Sequence, residues 1–544
     1  VNSNSLIIGI DTGGTYTDAV LVDKSSRKVL ASAKTPTTHY DLSLGITSAL
    51  KKLMEGRLKD LSGVAEVHVS TTLATNAVVE DRGSRVGLFV IGQTKPLDLP
   101  ALSIRYVPGG HTFTGEEENK LDLEMLVDGI EALRGMVDAY AVTASMSIQN
   151  PAHELIAAKA IQMMDPKPVF LSHQISKKPG MKERAATAVL NASLMPVMEY
   201  FLKSMNHALY SEGFTGKIMI VRGDGLLMDL EKAASEAAST FASGPAATAI
   251  YGALPSGGAE AIVIDVGGTT TDITMIRGGK PVISSDGSII GEWETHVDAV
   301  EMHTVGCGGD SKVAFDGSGK ISVGPCRVLP VSMAGKMLKS LDWLSSGKMT
   351  CLALAPDVEP ALALSEPVMT YLGEKGPSSP DAIGEALGIS EITLDSILEQ
   401  LVRMQLVMEI GFTPTDALHV LGTLDIGNVD MAVKAAGILS EISGLSSEDF
   451  CTEIIKTTGD KIRDSIVEHV VQKEMGFRMT GFLGGIKGTS LLDVTFKLNM
   501  PIIGMGAAAR YLLPYVADSL ETKAIFPDYY EVGNALGAVF AHKE

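Results

Sequence analysis

The chain is 544 residues long and carries 45 Lys and Arg against 65 Asp and Glu, a net charge of −20. That length calls for at least two domains with sizeable cores, and a hydrophobic share of 45% with 20% charged residues belongs to a folded globular protein rather than a disordered one. The acidic balance speaks against a surface for nucleic acid or anionic membrane, since both need clustered Lys and Arg.

The apolar runs, such as Val86–Ile91 and Ala261–Ile264, are strand-length, and none approaches the roughly 20 residues of a membrane span. Val1-Asn2-Ser3-Asn4 leads almost directly into a predicted strand, so no secretory leader is expected. The four cysteines, at 307, 326, 351 and 451, show no C-x-x-C pairing and no His at zinc-finger spacing. They fit a reduced, cytoplasmic protein with free thiols. Cys307 lies in a glycine-rich loop, where a small buried filler fits better than a nucleophile.

In chain order, strands are predicted at Leu6–Ile10, Ala19–Val22, Val67–Ser70, Val86–Ile91, Ala139–Val142 and Val169–Leu171. Helical periodicity marks Leu42–Met54 and Glu154–Met164. Pro179–Leu202 reads as one long Ala- and Met-rich helix leading toward a second lobe. Strands resume at Ile218–Val221, Ala261–Ile264 and Ile273–Ile276. Asp381–Ser390 and Leu394–Met404 then read as helix, tight turn, helix, with Leu406–Ile410 as a short wing and Phe412–Asp416 as a capped helix start. This winged-helix-like insertion, at about 376–422, is not expected to read DNA, because its second helix offers Arg403 against Asp395 and Glu399. It is expected to be structural or to dock a partner.

One pattern occurs twice. Asp11-Thr12-Gly13-Gly14-Thr15-Tyr16-Thr17-Asp18 and Asp265-Val266-Gly267-Gly268-Thr269-Thr270-Thr271-Asp272 coincide at the Asp, both Gly, the first and last Thr and the final Asp. Each copy lies between β-branched apolar runs, so each reads as a hairpin with a turn of glycine, hydroxyl and carboxylate. Glycine lets main-chain N–H groups approach an anion. Thr hydroxyls donate to phosphate oxygens, and an Asp at a strand end holds water or a divalent cation. A single Gly-Gly turn could serve geometry alone; the repetition points to nucleotide phosphate.

The doubled Asp-x-Gly-Gly-Thr resembles the phosphate loops of the actin, sugar-kinase and heat-shock-chaperone ATPase superfamily. Within it, further stretches resemble the hydantoinase/oxoprolinase A-subunit family: Ser70-Thr71-Thr72-Leu73-Ala74-Thr75-Asn76, Arg82-Gly83-Ser84-Arg85, Leu171-Ser172-His173-Gln174-Ile175, Thr187–Ala192, Ser243-Gly244-Pro245-Ala246, His303–Ser311, Gly484-Gly485 and Glu531–Ala538. The resemblance implies an α/β fold of two ribonuclease-H-like lobes, expected at 1–180 and 181–544. It implies nucleotide held between the lobes, ATP and Mg²⁺ as cofactors, and ATP-dependent hydrolysis of a cyclic amide, with hydantoins and ketones as neighbouring substrates. It also implies a second, B-type subunit or a homo-oligomer. Asp11 and Asp265 would hold the metal, mostly through water because Mg²⁺ dehydrates reluctantly. Gly13, Gly14, Thr15 and Thr17, with Gly267, Gly268, Thr269 and Thr270, would hold the phosphates.

Two readings stand for several residues. Thr72 and Asn76 follow a strand, where α/β folds expose ligand sites, and would orient substrate; the alternative is helix capping. Gly306, Gly308 and Gly309 could wrap N–H groups around a phosphate or form an ordinary loop. Gly484 and Gly485 suit an adenosine loop or a simple turn. His173, His296 and His303 are satisfied structural residues as readily as functional ones, and no general base stands out. Two other functions keep the same phosphate hairpins: an activator or chaperone-like ATPase acting on a partner protein, and a metabolite kinase.

Overall fold

The computed structural model describes residues 6–543 apart from 15, 39–40, 80–82, 176, 285–286, 291, 317–318, 339, 346–348, 357, 359–365, 405, 478 and 480–493. The chain forms two compact units. The first takes residues up to Glu260, then Thr274–Met302 and the segment from Val532; the second takes Ala261–Ile273 and His303–Glu531.

The first unit contains two large sheets and, in Thr274–Met302, short two-stranded pairings. In the larger, β1 (Leu6–Thr12), β2 (Tyr16–Asp23) and β3 (Lys28–Pro36) form an antiparallel meander. β4 (Val64–Thr71) joins parallel to β1, β9 (Lys217–Val221) parallel to β4, and β10 (Leu226–Met228) antiparallel to β9. His542–Lys543 closes that edge beside β10. Three antiparallel strands followed by parallel ones is the ribonuclease-H-like order expected. Both faces of β1 are buried, as a strand with parallel neighbours and helices on each side requires.

α1 (Leu42–Met54) begins where Asp41 accepts the Ser43 N–H, and buries Ile46, Leu50 and Leu53 against this sheet. Each such side chain contributes roughly 2 kcal/mol by leaving water. The helix Gly533–Phe540 lies on β1 so closely that a Cβ on Gly9 would strike the Ala535 carbonyl.

The second sheet is fully parallel, in the order β6 (Ser103–Val107), β5 (Val86–Ile91), β7 (Ala139–Ala144), β8 (Val169–Leu171). Crossover helices α3 (Leu123–Leu133) and α4 (Ala152–Met164) connect β6 to β7 and β7 to β8. The short turn of helix α5 (Ser172–Ile175) follows β8.

The long helix is present as α6 (Met181–Ser211), but it stays in the first unit. Its first half buries Ala185, Ala188, Val189 and Ala192 on the parallel sheet, and its second half buries Met198, Phe201, Met205 and Leu209 under the larger one. The boundary expected at residue 180 is therefore displaced: 181–260 packs with the strands before it. By length and composition α6 could cross a membrane, contrary to the reading that no segment could, yet 67% of its apolar window is buried in the protein. Alternating contact with two cores explains apolar character on most of its faces.

In the second unit β11 (Ala261–Val266) pairs parallel with Ile502–Met505, which pairs parallel with Ala524–Ile525. The helices Pro414–Val420, Val429–Ser443 and Ser447–Met475 pack on one another, and a separate core gathers Phe412, Phe450, Ile454 and Cys307. The insertion is larger at its start and shorter at its end than the expected 376–422. Thr350–Leu354 pairs antiparallel with Val407–Gly411, and helices Pro367–Lys375, Pro380–Leu387 and Glu391–Arg403 enclose a core of Leu352, Val368, Leu372, Ile383, Leu394 and Val407. Pro414–Val420 leaves this group, because its buried face meets the two long helices instead.

Candidate functional site

In the first unit β1 delivers Asp11 and Thr12 to the sheet's edge, and the Gly13 N–H donates to the Tyr16 carbonyl across the turn at 3.0 Å. Asp11 is 3% exposed. Ser70, its register neighbour on β4, donates its hydroxyl at 2.6 Å, and the Asn534 amide donates to the other carboxylate oxygen at 3.3 Å. Two fixed donors hold the carboxylate in one orientation, which a ligand for a hydrated cation needs. The Thr12 hydroxyl is buried and has no hydrogen-bond partner among the described residues. An orphaned hydroxyl at this point costs about 1–3 kcal/mol unless something accepts from it.

Thr72 and Asn76 come to the same place. The Thr72 N–H donates to the Thr12 carbonyl at 3.2 Å, and the Asn76 amide donates to the Thr72 hydroxyl at 3.3 Å. A Cβ on Gly14 would lie 3.1 Å from that amide nitrogen. Helix α8 (Ser243–Ala253) starts beside them: Ser243 exchanges hydrogen bonds with the Thr71 main chain, and a Cβ on Gly244 would lie 3.3 Å from the Thr72 methyl and 3.7 Å from Asp11 Oδ1. A helix N-terminus aimed at this corner favours anions.

Thr17 does not join this set through its hydroxyl, which is buried and engaged at 3.0 Å with Thr37, whose own hydroxyl donates to the Gly13 carbonyl at 2.9 Å. It braces the turn from behind because β2 points it inward opposite Thr12. Asp18 forms an ion pair with Lys34 at 2.8 Å. Thr15 lies outside the described residues.

The second unit repeats the turn: the Gly267 N–H donates to the Thr270 carbonyl at 3.0 Å, with Gly267 through Thr270 half-buried. Asp265 sits opposite Met505, and a Cβ on Gly506, whose φ is +86°, would collide with Asp265 Oδ1. Thr271 is buried, and its hydroxyl donates to the Cys307 carbonyl at 2.7 Å. Thr304 donates to Asp272 at 2.7 Å, and burial pushes that carboxyl's pKa up.

The loop Gly306–Ser311 has a different role from the phosphate wrap expected of it. The N–H groups of Gly308, Gly309 and Asp310 donate to Ser311 Oγ at 2.8 Å, the Gly267 carbonyl at 3.0 Å and the Gly268 carbonyl at 2.8 Å. These three donors are engaged by the protein, so this part of the loop is a cradle for the Gly267-Gly268 turn. Gly308 is required there, since its Cβ would lie 2.5 Å from the Gly267 carbonyl oxygen. Thr415, at the start of Pro414–Val420, donates to the Gly309 carbonyl at 2.8 Å and to Asp310 at 3.2 Å, a long-range brace that no local motif announces. Burial raises the Asp310 carboxyl, opposed by Arg327 and Thr415.

Cys307 is buried, and burial pushes its thiol up to about 11, as befits a filler. His303 stacks on His469 with ring centroids 5.6 Å apart, and burial lowers its pKa; burial likewise lowers His296. Gly484 and Gly485 lie outside the described residues.

No group of three or more His, Cys, Asp and Glu side chains able to hold a metal gathers among the described residues. Single, oriented carboxylates suit Mg²⁺ bound mainly by phosphate and water. The unpartnered Thr12 hydroxyl, the paired glycines and the start of α8 fit a phosphate chain beside Asp11.

Comparison with known proteins shows which family the chain resembles. The hydantoinase/oxoprolinase N-terminal region model matches residues 7–165, and the hydantoinase/oxoprolinase model matches 184–338. The caprolactamase subunit alpha of Pseudomonas jessenii is 30% identical over 352 residues, covering 58% of this chain and 50% of that protein. The acetophenone carboxylase gamma subunit of Aromatoleum aromaticum is 29% identical over 368 residues, covering 58% and 49%. The chain thus spans about half the length of these relatives. A nucleotide-free structure of acetone carboxylase, from work on ATP-dependent acetone carboxylation, superposes with a TM-score of 0.68 at 18% identity, covering 99% of this chain and 70% of that one, and shows the same α/β fold. With both family models matching in order across more than half of the sequence, the chain belongs to the hydantoinase/oxoprolinase family.

Proposed function

We propose that the chain is the nucleotide-using subunit of an ATP-dependent hydrolase that activates a cyclic amide, with hydantoins and ketones as neighbouring substrate classes. The observation that carries this reading is the Asp11 corner: an oriented carboxylate, an unpartnered buried hydroxyl on Thr12 and a glycine turn, in a chain that repeats the same turn at Asp265. The relatives support it, one being named for a lactam and one for a ketone.

When bound, ATP supplies a phosphoryl group that turns a poor carbonyl electrophile into one with a good leaving group. Asp11 and Asp265 would each serve Mg²⁺, and Gly13, Gly14, Gly267 and Gly268 would admit phosphate oxygens to the main chain. Thr72 and Asn76, joined by their hydrogen bond, would orient the substrate carbonyl. Such chemistry rests on positioning and charge neutralisation. Both relatives are named as subunits, which supports a B-type partner subunit. The four free cysteines, none of them in a disulfide, support a cytoplasmic setting.

The test is MgATP turnover of the full chain with ε-caprolactam, 5-oxoproline, hydantoin, acetone and a sugar panel, with product analysis. Ring-opened product formed in step with ADP is the expected result. A phosphorylated stable product would make the chain a kinase, and turnover that responds only to a protein partner would make it a switch.

A further inference from the structure

A second constellation lies in the first unit, where β7 and β8 end. Glu154, on the first turn of α4, has no solvent exposure and accepts four hydrogen bonds. Its Oε1 takes the Ala144 N–H at 2.9 Å and the Ser172 hydroxyl at 2.6 Å; its Oε2 takes the His173 main-chain N–H at 3.2 Å and His173 Nδ1 at 2.6 Å. Arg184, 2% exposed, donates from Nη2 to the Ala144 carbonyl at 2.9 Å, and its Nε is buried with no partner among the described residues. It supplies counter-charge to a carboxylate that would otherwise be stranded out of water.

A carboxylate that receives Nδ1 leaves the proton there and turns Nε2 into the basic nitrogen. No hydrogen bond to His173 Nε2 occurs among the described residues, and the side chain keeps 20% of its surface open. The pair stands at the carboxyl ends of parallel strands, the edge where α/β sheets place ligands. A purely structural salt link has no need to leave the far ring nitrogen reachable.

We infer that His173 is the general base that the proposed hydrolysis requires, with Glu154 as the residue that positions it. The inference rests on the lactam-hydrolase reading. Water loses one proton to His173 Nε2 as its oxygen bonds to the activated carbonyl carbon. The ring C–N bond then breaks as the nitrogen takes that proton from His173 and the new hydroxyl gives up its own proton to form C=O, leaving an acyl phosphate and an amine and returning the imidazole to its starting state. A second water then displaces inorganic phosphate from the acyl carbon to give the carboxylic acid.

The experiment compares full-length wild type with His173→Ala, Glu154→Gln and Glu154→Asp. Expected with any ring-opened member of the lactam panel is a loss in kcat of roughly 100-fold or more for His173→Ala, with KM and the calorimetric ATP affinity unchanged and partial rescue by free imidazole. Glu154→Gln should lose kcat at constant KM, and Glu154→Asp should recover part of it. A folded His173→Ala protein with wild-type kcat overturns the inference. If wild type opens no lactam while still binding ATP, the lactam reading fails, and carbethoxylation by diethyl pyrocarbonate decides the dyad. His173 should then react at least as fast as the exposed His207, and severalfold more slowly in Glu154→Gln. A His173 that stays unmodified while His207 reacts contradicts the dyad.

Discussion

Gly14 and Asn76 show how little room the first phosphate turn leaves. With the Asn76 amide 3.1 Å from where a Cβ would stand, Gly14→Val should weaken MgADP binding at least tenfold by calorimetry while the protein stays folded. Gly268→Val should act differently, since its Cβ would lie 2.5 Å from Asp310 Oδ2 and must unseat the cradle as well. It should lose both nucleotide binding and thermal stability. Thiol chemistry separates in the same way. Burial pushes Cys307 to about 11 and Cys351 and Cys451 to about 12, whereas Cys326 is exposed. Iodoacetamide at pH 8 should label Cys326 and spare the other three, read by peptide mass. Labelling of Cys307 in the folded protein would undo its assignment as a filler.

At the level of elements, strand and helix positions were legible because they rest on local periodicity: β5, α1 and β8 begin and end where apolar spacing said they would. The uses of Thr17 and of Gly306–Ser311 were not. Both depend on partners far along the chain, Thr37 for one and Gly267, Gly268 and Thr415 for the other. A glycine-rich stretch reads alike whether its N–H groups meet phosphate or a carbonyl. The boundary at 180 was missed for a related reason, since nothing in the periodicity of α6 says which sheets its two halves cover.

The returning C-terminal segment gives a test at this scale. Lys543 donates to Glu66 at 3.0 Å, and His68 meets the other carboxylate oxygen at 2.9 Å. Burial works to raise the Glu66 carboxyl, but those bonds and the Lys24 charge outweigh it and hold it at about 2 against an ordinary 4.5. A depressed carboxyl stabilises the fold above its unfolded pKa and loses that effect as pH falls through the folded one. Glu66→Gln should therefore cost about 1 kcal/mol at pH 7, and the gap from wild type in urea titrations should close between about pH 4.5 and 2. The helix–turn–helix insertion should not bind DNA. Salt-sensitive binding of the full chain to duplex DNA at micromolar concentration, lost when Pro367–Arg403 is replaced by a short linker, would contradict its acidic second helix.

For the whole molecule, the repeated hairpin is the feature on which the functional reading stands. The sequence shows the repetition, and the structure supplies what repetition alone lacks: Asp11 fixed by Ser70 and Asn534, and the Gly267-Gly268 turn seated in a loop of its own unit. The two copies are built differently around the same residues, so their equivalence is the claim most exposed to test. The decisive measurement is magnesium-dependent ATP turnover, with the stimulating substrate present, in Asp11→Asn and Asp265→Asn. Each substitution keeps size and removes a negative charge. Turnover should fall by roughly 100-fold or more in both variants if each carboxylate serves Mg²⁺ in phosphoryl transfer, with melting temperatures little changed. An inert Asp265→Asn beside a dead Asp11→Asn would make the second hairpin a structural echo and contradict the account.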